Sequence, residues 1–123
     1  MKAFLKNYRQ SPRKVRLVAS LLKGKPVSEA IVELDFLAKR AGFPISKLLL
    51  SAVANAKQMG VEKGNLMIKE LRVDKGITMK RMMPAAMGSG HPINKRTSHV
   101  TLVLAEKVEK KAKKTKKVKK AKK

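Results

Sequence analysis

Between Asp74 and Glu106 the chain runs for 31 residues, Lys75 to Ala105, without one acidic side chain. The stretch carries Lys75, Lys80, Arg81, Lys95 and Arg96, and its centre reads Met-Met-Pro-Ala-Ala-Met-Gly-Ser-Gly-His-Pro over 82–92. Strand-like segments lie on both sides. Leu66 to Lys75 has strand character with an irregularity near Glu70-Leu71, and Val100, Leu102 and Leu104 alternate with Thr101, Val103 and Ala105. The shoulders are too basic, and the middle too poor in large apolar side chains, to form a domain core. An arm that folds out and back meets both constraints, provided something negatively charged surrounds it. Strands running from Leu66 toward Pro84, and back from about Ile93, would each span on the order of 50 Å at ~3.3 Å per residue. A ribbon of two strands is marginal alone in water, so its outer part is expected to be ordered by a partner.

Charge says what that partner is. The formal net charge is +23 over 123 residues. Residues 107–123 hold eleven lysines against Glu109, or +10, and the other 106 residues hold twenty Lys and Arg against seven acids, or +13. The body is therefore basic in its own right and repels itself until a polyanion neutralises it. Nucleic acid is the leading candidate and an anionic membrane surface the second. The only aromatics are Phe4, Tyr8, Phe36 and Phe43, too few for recognition by a set of base-stacking rings. Contacts should go mainly to phosphate and sugar. The absence of cysteine excludes disulfides and thiolate metal sites and agrees with a cytosolic protein. The strongest apolar run, Leu48 to Ala56, is far below the ~20 residues needed to span a bilayer, so no membrane insertion is expected.

The remainder reads as a small helical body. Residues 3–9 suit a short strand. Ser11-Pro12 fits the N-cap and N1 positions of a helix that ends near Lys23, with Gly24 just beyond. Val15, Val18, Ala19 and Leu22 share one face of it, and Arg13, Arg16 and Lys23 the other. After the turn Gly24-Lys25-Pro26, Ser28 is expected to cap a second helix, with Ala30, Ile31, Leu34, Leu37 and Ala38 as its apolar face. Glu29, Glu33 and Asp35 lie on that helix, which should face away from a polyanion. Lys39 to Phe43 is expected as a loop. Pro44 starts a third helix, ending near Gly60, in which Ile45, Leu48, Leu49, Ala52, Val53 and Ala56 recur at helical spacing. A sheet should complete the core. The Lys-rich segment 107–123 is expected to be disordered in isolation.

Catalysis has little to draw on. His91 and His99 have no carboxylate or cysteine beside them in sequence, and Asp74 is isolated, so solvated or hydrogen-bonded side chains are the better reading. Gly88-Ser89-Gly90 lacks the Lys-Ser/Thr and the following helix of a phosphate loop and reads as a turn. Met59 and Met67 suit core or near-core filler. Met82, Met83 and Met87 lie outside any core, where they could pack against bases, sugars or a peptide. The pairs Lys80-Arg81 and Lys95-Arg96 are the stronger signal. In a hairpin centred near 87–89 they fall roughly opposite one another, an unfavourable cluster that phosphates would reverse.

Five segments together resemble the L22 family of large-subunit ribosomal proteins. They are Ser11-Pro12-Arg13-Lys14-Val15-Arg16-Leu17-Val18, Leu50-Ser51-Ala52-Val53-Ala54-Asn55-Ala56, Val73-Asp74-Lys75-Gly76, Lys80-Arg81-Met82-Met83-Pro84 and Lys95-Arg96-Thr97-Ser98-His99-Val100. They occur in the family's order and span nearly all of residues 1–106. The resemblance implies an α+β fold, three helices on a small antiparallel sheet with a long protruding β-hairpin at about 76–97, and no enzymatic activity or cofactor. It implies a structural part of the large subunit that binds 23S-type ribosomal RNA and supports assembly of the cytoplasmic ribosome. Its hairpin tip would line the nascent-peptide exit tunnel, among neighbouring large-subunit proteins.

Carried onto this chain, Arg13, Lys14 and Arg16 would be helix-borne RNA contacts. Lys80, Arg81, Lys95, Arg96, Thr97 and Ser98 would grip RNA along the ribbon. Arg9, Ser11, Lys23, Lys25, Lys75 and His99 complete the candidate RNA-binding set. The tip would be Met82, Met83, Pro84, Ala85, Ala86, Met87, Gly88, Ser89, Gly90 and His91. Tips in the family usually carry Arg and Lys around the Pro and Gly positions, whereas here Ala85, Ala86, Met87 and Ser89 leave the tip close to neutral. The lysine tail also suits a nucleoid-type DNA-binding protein, the alternative, but neither a duplex-groove reader nor a dimer seam is visible.

Overall fold

A computed structural model describes residues 1–106. The segment 107–123, expected as a disordered tail, lies outside the described residues. The order of elements is β1 (Lys2–Tyr8), α1 (Pro12–Leu22), α2 (Val27–Phe36), α3 (Gly42–Gln58), a short 3-10 turn (Lys63–Asn65), β2 (Leu66–Pro84) and β3 (Gly90–Glu106). The sheet is antiparallel with strand order β1-β3-β2. The fold is α+β, as expected.

One face of the sheet builds the core. Val100, Leu102 and Leu104 of β3 are buried, with Ala3 of β1 and Leu66, Ile68, Leu71 and Val73 of β2 beside them. Ile68 and Leu71 are three residues apart, so a regular strand would send one of them to solvent. A bulge between Ile68 and Glu70 restores the parity and keeps both on the helix side. This is the irregularity visible near Glu70-Leu71. The helices cover that face, α1 against β2, α3 against β1 and β3, and α2 against α3.

Every apolar position expected to face inward on α1 and α3 is buried. Helix α2 differs. Ala30 and Leu34 are buried, but Ile31 and Leu37 are half-buried, Ala38 is exposed, and Val27 is fully buried. Its N-cap is Pro26 rather than Ser28. The cause is tertiary: the Gly24 N–H donates to the Ile68 carbonyl (3.0 Å), and the Ile68 N–H donates to the Lys25 carbonyl (2.9 Å). These bonds pin the turn to β2, and burial of Val27 starts the helix early. Helix α3 likewise begins at Gly42 rather than Pro44, because Ala41 and Gly42 are small enough to sit buried against the end of α2. Met59 is exposed and Met67 half-buried, so only the second is near-core filler. Among the described residues no helix is long and apolar enough to cross a membrane.

Beyond the core, β2 and β3 run on as a ribbon from Thr78↔Arg96 to Pro84↔Gly90. Almost all of its side chains are exposed. A second bulge, between Lys75 and Thr78, separates ribbon from body. The tip is a tight turn in which the Ser89 N–H donates to the Ala86 carbonyl (3.3 Å), with Met87 at φ 58° and Gly88 at φ 67°. Two successive positive φ values define the turn that matches the twist of a hairpin. Glycine adopts this conformation freely, whereas methionine is strained by roughly 1 kcal/mol. Met87→Asn is therefore expected to stabilise the tip by several tenths of a kcal/mol to about 1 kcal/mol. Slower amide exchange at Ala85 and Ser89 would show it, and unchanged exchange would refute it.

Candidate nucleic-acid interface

The ribbon leaves the body beside the start of α1, and the basic side chains gather there. Strand β1 stops pairing at Tyr8↔Ser98, so β3 from Arg96 outward has no β1 neighbour. Residues Arg9 to Ser11 cross the base of the ribbon instead, and Pro12 opens α1. Asn7 takes a left-handed conformation (φ 55°) to make this exit, and its N–H donates to His99 Nδ1 at 3.1 Å. Asparagine tolerates that backbone better than most residues.

Three adjoining concavities result. The first is lined by Ser11, Pro12, Arg13, Arg16, Lys75 and Arg96. The second shares Ser11 and Arg96 and adds Arg9, Gln10, Lys14, Arg40, Asn94 and Lys95. The third shares Arg9 and Lys95 and adds Met79, Arg81 and Ile93. Among the described residues nine cations line this continuous groove, and no acid does. The N-terminus of α1 opens into it, and the Ser11 hydroxyl makes no capping bond. Unsatisfied N–H groups and the helix dipole there favour an anion.

The cations are held by ordinary structural bonds. Arg16 donates from Nε (3.1 Å) and Nη2 (2.9 Å) to the Val73 carbonyl, fixing α1 to β2 with its charge still at the groove. The Tyr8 hydroxyl donates to the Arg40 carbonyl at 3.3 Å, tying the α2–α3 connection to the end of β1. Burial pushes the Tyr8 phenol up from its ordinary pKa, with the Arg40 charge acting in the opposite direction.

On the ribbon the register refines the expected cluster. Thr78 faces Arg96, Met79 faces Lys95, Lys80 faces Asn94 and Arg81 faces Ile93. The two basic pairs are thus staggered rather than opposite. Lys80 and Arg96 share one face on a diagonal, and Arg81 and Lys95 share the other. Splitting four charges between two faces reduces their repulsion and offers cations on both sides. Met79 and Ile93 lie beside Arg81 and Lys95, giving that face an apolar floor.

Not all candidate residues join the groove. Lys23 is at the far end of α1, on the order of 15 Å from Arg13 at ~1.5 Å rise per residue. Lys25 is ion-paired with Glu33. Thr97 and Ser98 are buried, at 4% and 0% exposure, and out of reach of a surface ligand. Thr97 instead donates to the Ile77 carbonyl at 2.7 Å across the second bulge. His99 is half-buried and accepts from Asn7. The tip residues Met82 to His91 stand apart from the groove, exposed except for the half-buried Ala85. Arg40, Gln10 and Asn94 belong to the groove although sequence reasoning missed them. Only the basic pair Lys39-Arg40 signalled any of the three, and its loop position hid that Arg40 meets the ribbon.

Among the described residues no cluster of three or more His, Cys, Asp or Glu could hold a metal ion. The groove can neutralise and position phosphates, and it offers no acid–base pair for chemistry. The family model described as ribosomal protein L22p/L17e matches residues 3–105, which include the core, the groove and the entire ribbon. With three helices on an antiparallel sheet and a long basic ribbon already in view, the chain belongs to this ribosomal protein L22p/L17e family, whose members are structural proteins of the large ribosomal subunit and not enzymes.

Proposed function

We propose that the groove and the ribbon shoulders bind large-subunit ribosomal RNA through its phosphates, and that the ribbon carries its near-neutral tip toward the path of the nascent peptide. The supporting observation is the acid-free groove of nine cations at the junction of α1 and ribbon. Such a concentration is costly in the free protein and favourable against a polyanion. Arg9, Arg13, Lys14, Arg16, Lys75, Lys95 and Arg96 contact phosphate at the ribbon's base, with Arg40 added from the structure. Lys80 and Arg81 contact it further out. The contacts position the protein without reading sequence, so shape fixes the site. Thr97, Ser98 and His99 build the joint that aims the ribbon, and RNA contact is not assigned to them.

The tunnel placement rests on the family and on the ribbon's form. The seven pairs beyond the second bulge extend about 20 Å at ~3.3 Å per residue. Apolar tip side chains such as Met82, Met83 and Met87 then meet a passing peptide rather than RNA phosphate. Assembly into the cytoplasmic ribosome and contacts with neighbouring ribosomal proteins follow from the same reading.

Binding of the purified chain to large-subunit RNA should fall steeply with salt, by about 0.7–0.9 in log affinity per log salt for each phosphate neutralised. Removing 107–123 should weaken binding and leave the footprint on the RNA unchanged. A footprint that moves on truncation, or tighter association with DNA than with this RNA, would refute the reading.

A further inference from the structure

Helix α2 carries a surface that the RNA-binding reading leaves unused. It contributes no residue to the basic groove. Its ten residues include Glu29, Glu33 and Asp35 and no base, in a chain of net charge +23. Glu33 is paired with Lys25, while Glu29 and Asp35 have no ion-pair partner among the described residues. Helical spacing places Glu29, Val32 and Phe36 along one stripe, with Asp35 beside it. Val32 is 56% exposed and Phe36 86% exposed.

Next to the stripe, a groove between α2 and α3 is lined by Leu34, Asp35, Leu37, Phe43 and Leu50, with Lys39 and Lys47 at its edge. Phe43 and Leu50 are also largely exposed, and Lys47 sits over the Phe43 ring at 4.5 Å. The core is built from Leu, Ile, Val and Ala, so neither phenylalanine is needed to complete it. Clustered exposed aromatic and aliphatic side chains with a polar rim are what a protein interface needs.

Charge selects the occupant. Along α2 a phosphate would meet Glu29 and Asp35 with no base on the helix, and only Lys39 and Lys47 at the groove's edge offset Asp35, so RNA is disfavoured on the stripe. The chain's own segment 107–123 has the right sign, but two valines are its largest apolar side chains, too little to cover Phe36 and Phe43. We propose that the α2 stripe and the adjoining α2–α3 groove dock a basic amphipathic segment of another protein of the subunit. Its apolar side chains would cover Val32, Phe36 and Phe43, and its Lys or Arg would meet Glu29 on the stripe, where no base lies, rather than the groove edge that Lys39 and Lys47 make basic. This rests on the reading that the RNA lies on the separate, basic groove.

The test places the photocrosslinker p-benzoylphenylalanine at Phe36, or in a second variant at Leu50, in the full chain assembled into large subunits. Both positions are exposed, so melting should match the unmodified chain. The expected product is an adduct with one other protein at a Lys- or Arg-bearing segment. Glu29→Lys combined with Asp35→Lys should lower its yield by about tenfold without lowering RNA affinity of the free chain. Adducts only with RNA, only with residues 107–123, or none in particles that contain the variant would overturn the proposal. Loss of RNA binding by the unmodified chain would overturn the groove reading instead, so the two failures are distinguishable.

Discussion

Replacing Arg9, Lys14, Lys95 and Arg96 together by glutamine will lower the affinity for large-subunit RNA by about three decades at about 0.1 M salt, and will flatten the salt dependence by about 3 log units per log unit. The magnitude follows from counterion release. Each phosphate contact contributes ~0.7–0.9 to the slope, and at about 0.1 M salt the same factor is its contribution to log affinity. The four residues line one concavity where the chain after β1 crosses the ribbon. All are exposed, and none has an ion-pair partner among the described residues. Their removal relieves repulsion, so thermal stability should hold or rise slightly. Filter binding across a salt series, with melting as the control, separates the effects. Four equivalent substitutions at Lys2, Lys6, Lys57 and Lys63, outside the groove, should change affinity far less. Equal losses from both sets would mean that net charge alone carries the binding.

Much of this protein was legible in its residues because the signals are periodic. The buried stripes of α1 and α3 recur every three or four residues, and β3 alternates strictly from Val100 to Leu104, so their partners hardly matter to the pattern. Helix α2 was read less well because its buried stripe is narrow. Three residues of it, Val27, Ala30 and Leu34, are buried, and the start is set by bonds to β2 rather than by a local cap. The groove was half legible. Its cations on α1 and the ribbon are visible as charge, yet Arg40 joins them through tertiary packing, and Lys25 leaves through an ion pair with Glu33. Thr97 and Ser98 illustrate the opposite limit. Beside two basic residues they read as RNA ligands, but Ser98 alternates onto the core face with Val100, and Thr97 is covered where Gly76 and Ile77 bulge across from it.

That bulge carries the largest expected effect on the fold. Gly76→Ala should destabilise the protein by about 1–3 kcal/mol, a fall in melting temperature of roughly 5–20 °C for a body of this size. Gly76 and Ile77 together oppose Thr97, and the backbones approach closely there. A Cβ at Gly76 would overlap Thr97 Oγ1 outright and lie 3.2 Å from the Thr97 carbonyl carbon and 3.3 Å from His99 Nε2. Neither neighbour can give way cheaply. Thr97 Oγ1 is bonded to the Ile77 carbonyl, and His99 Nδ1 holds the Asn7 N–H at the exit of β1. The strain can be relieved by losing body stability or by unpairing the ribbon outward from Thr78↔Arg96. Amide exchange distinguishes these, since unpairing would expose Met79 to Met83 while Val100 to Leu104 stay protected. Thr97→Ala alone should cost about 1 kcal/mol through its lost hydrogen bond. In the double variant the overlapping atom is gone, so the combined loss should be smaller than the sum of the two. Simple additivity would place the cost of Gly76→Ala elsewhere than this contact. A ribbon whose base is loosened would also present Lys80, Arg81, Lys95 and Arg96 out of register, so RNA affinity should fall although no cation has been removed.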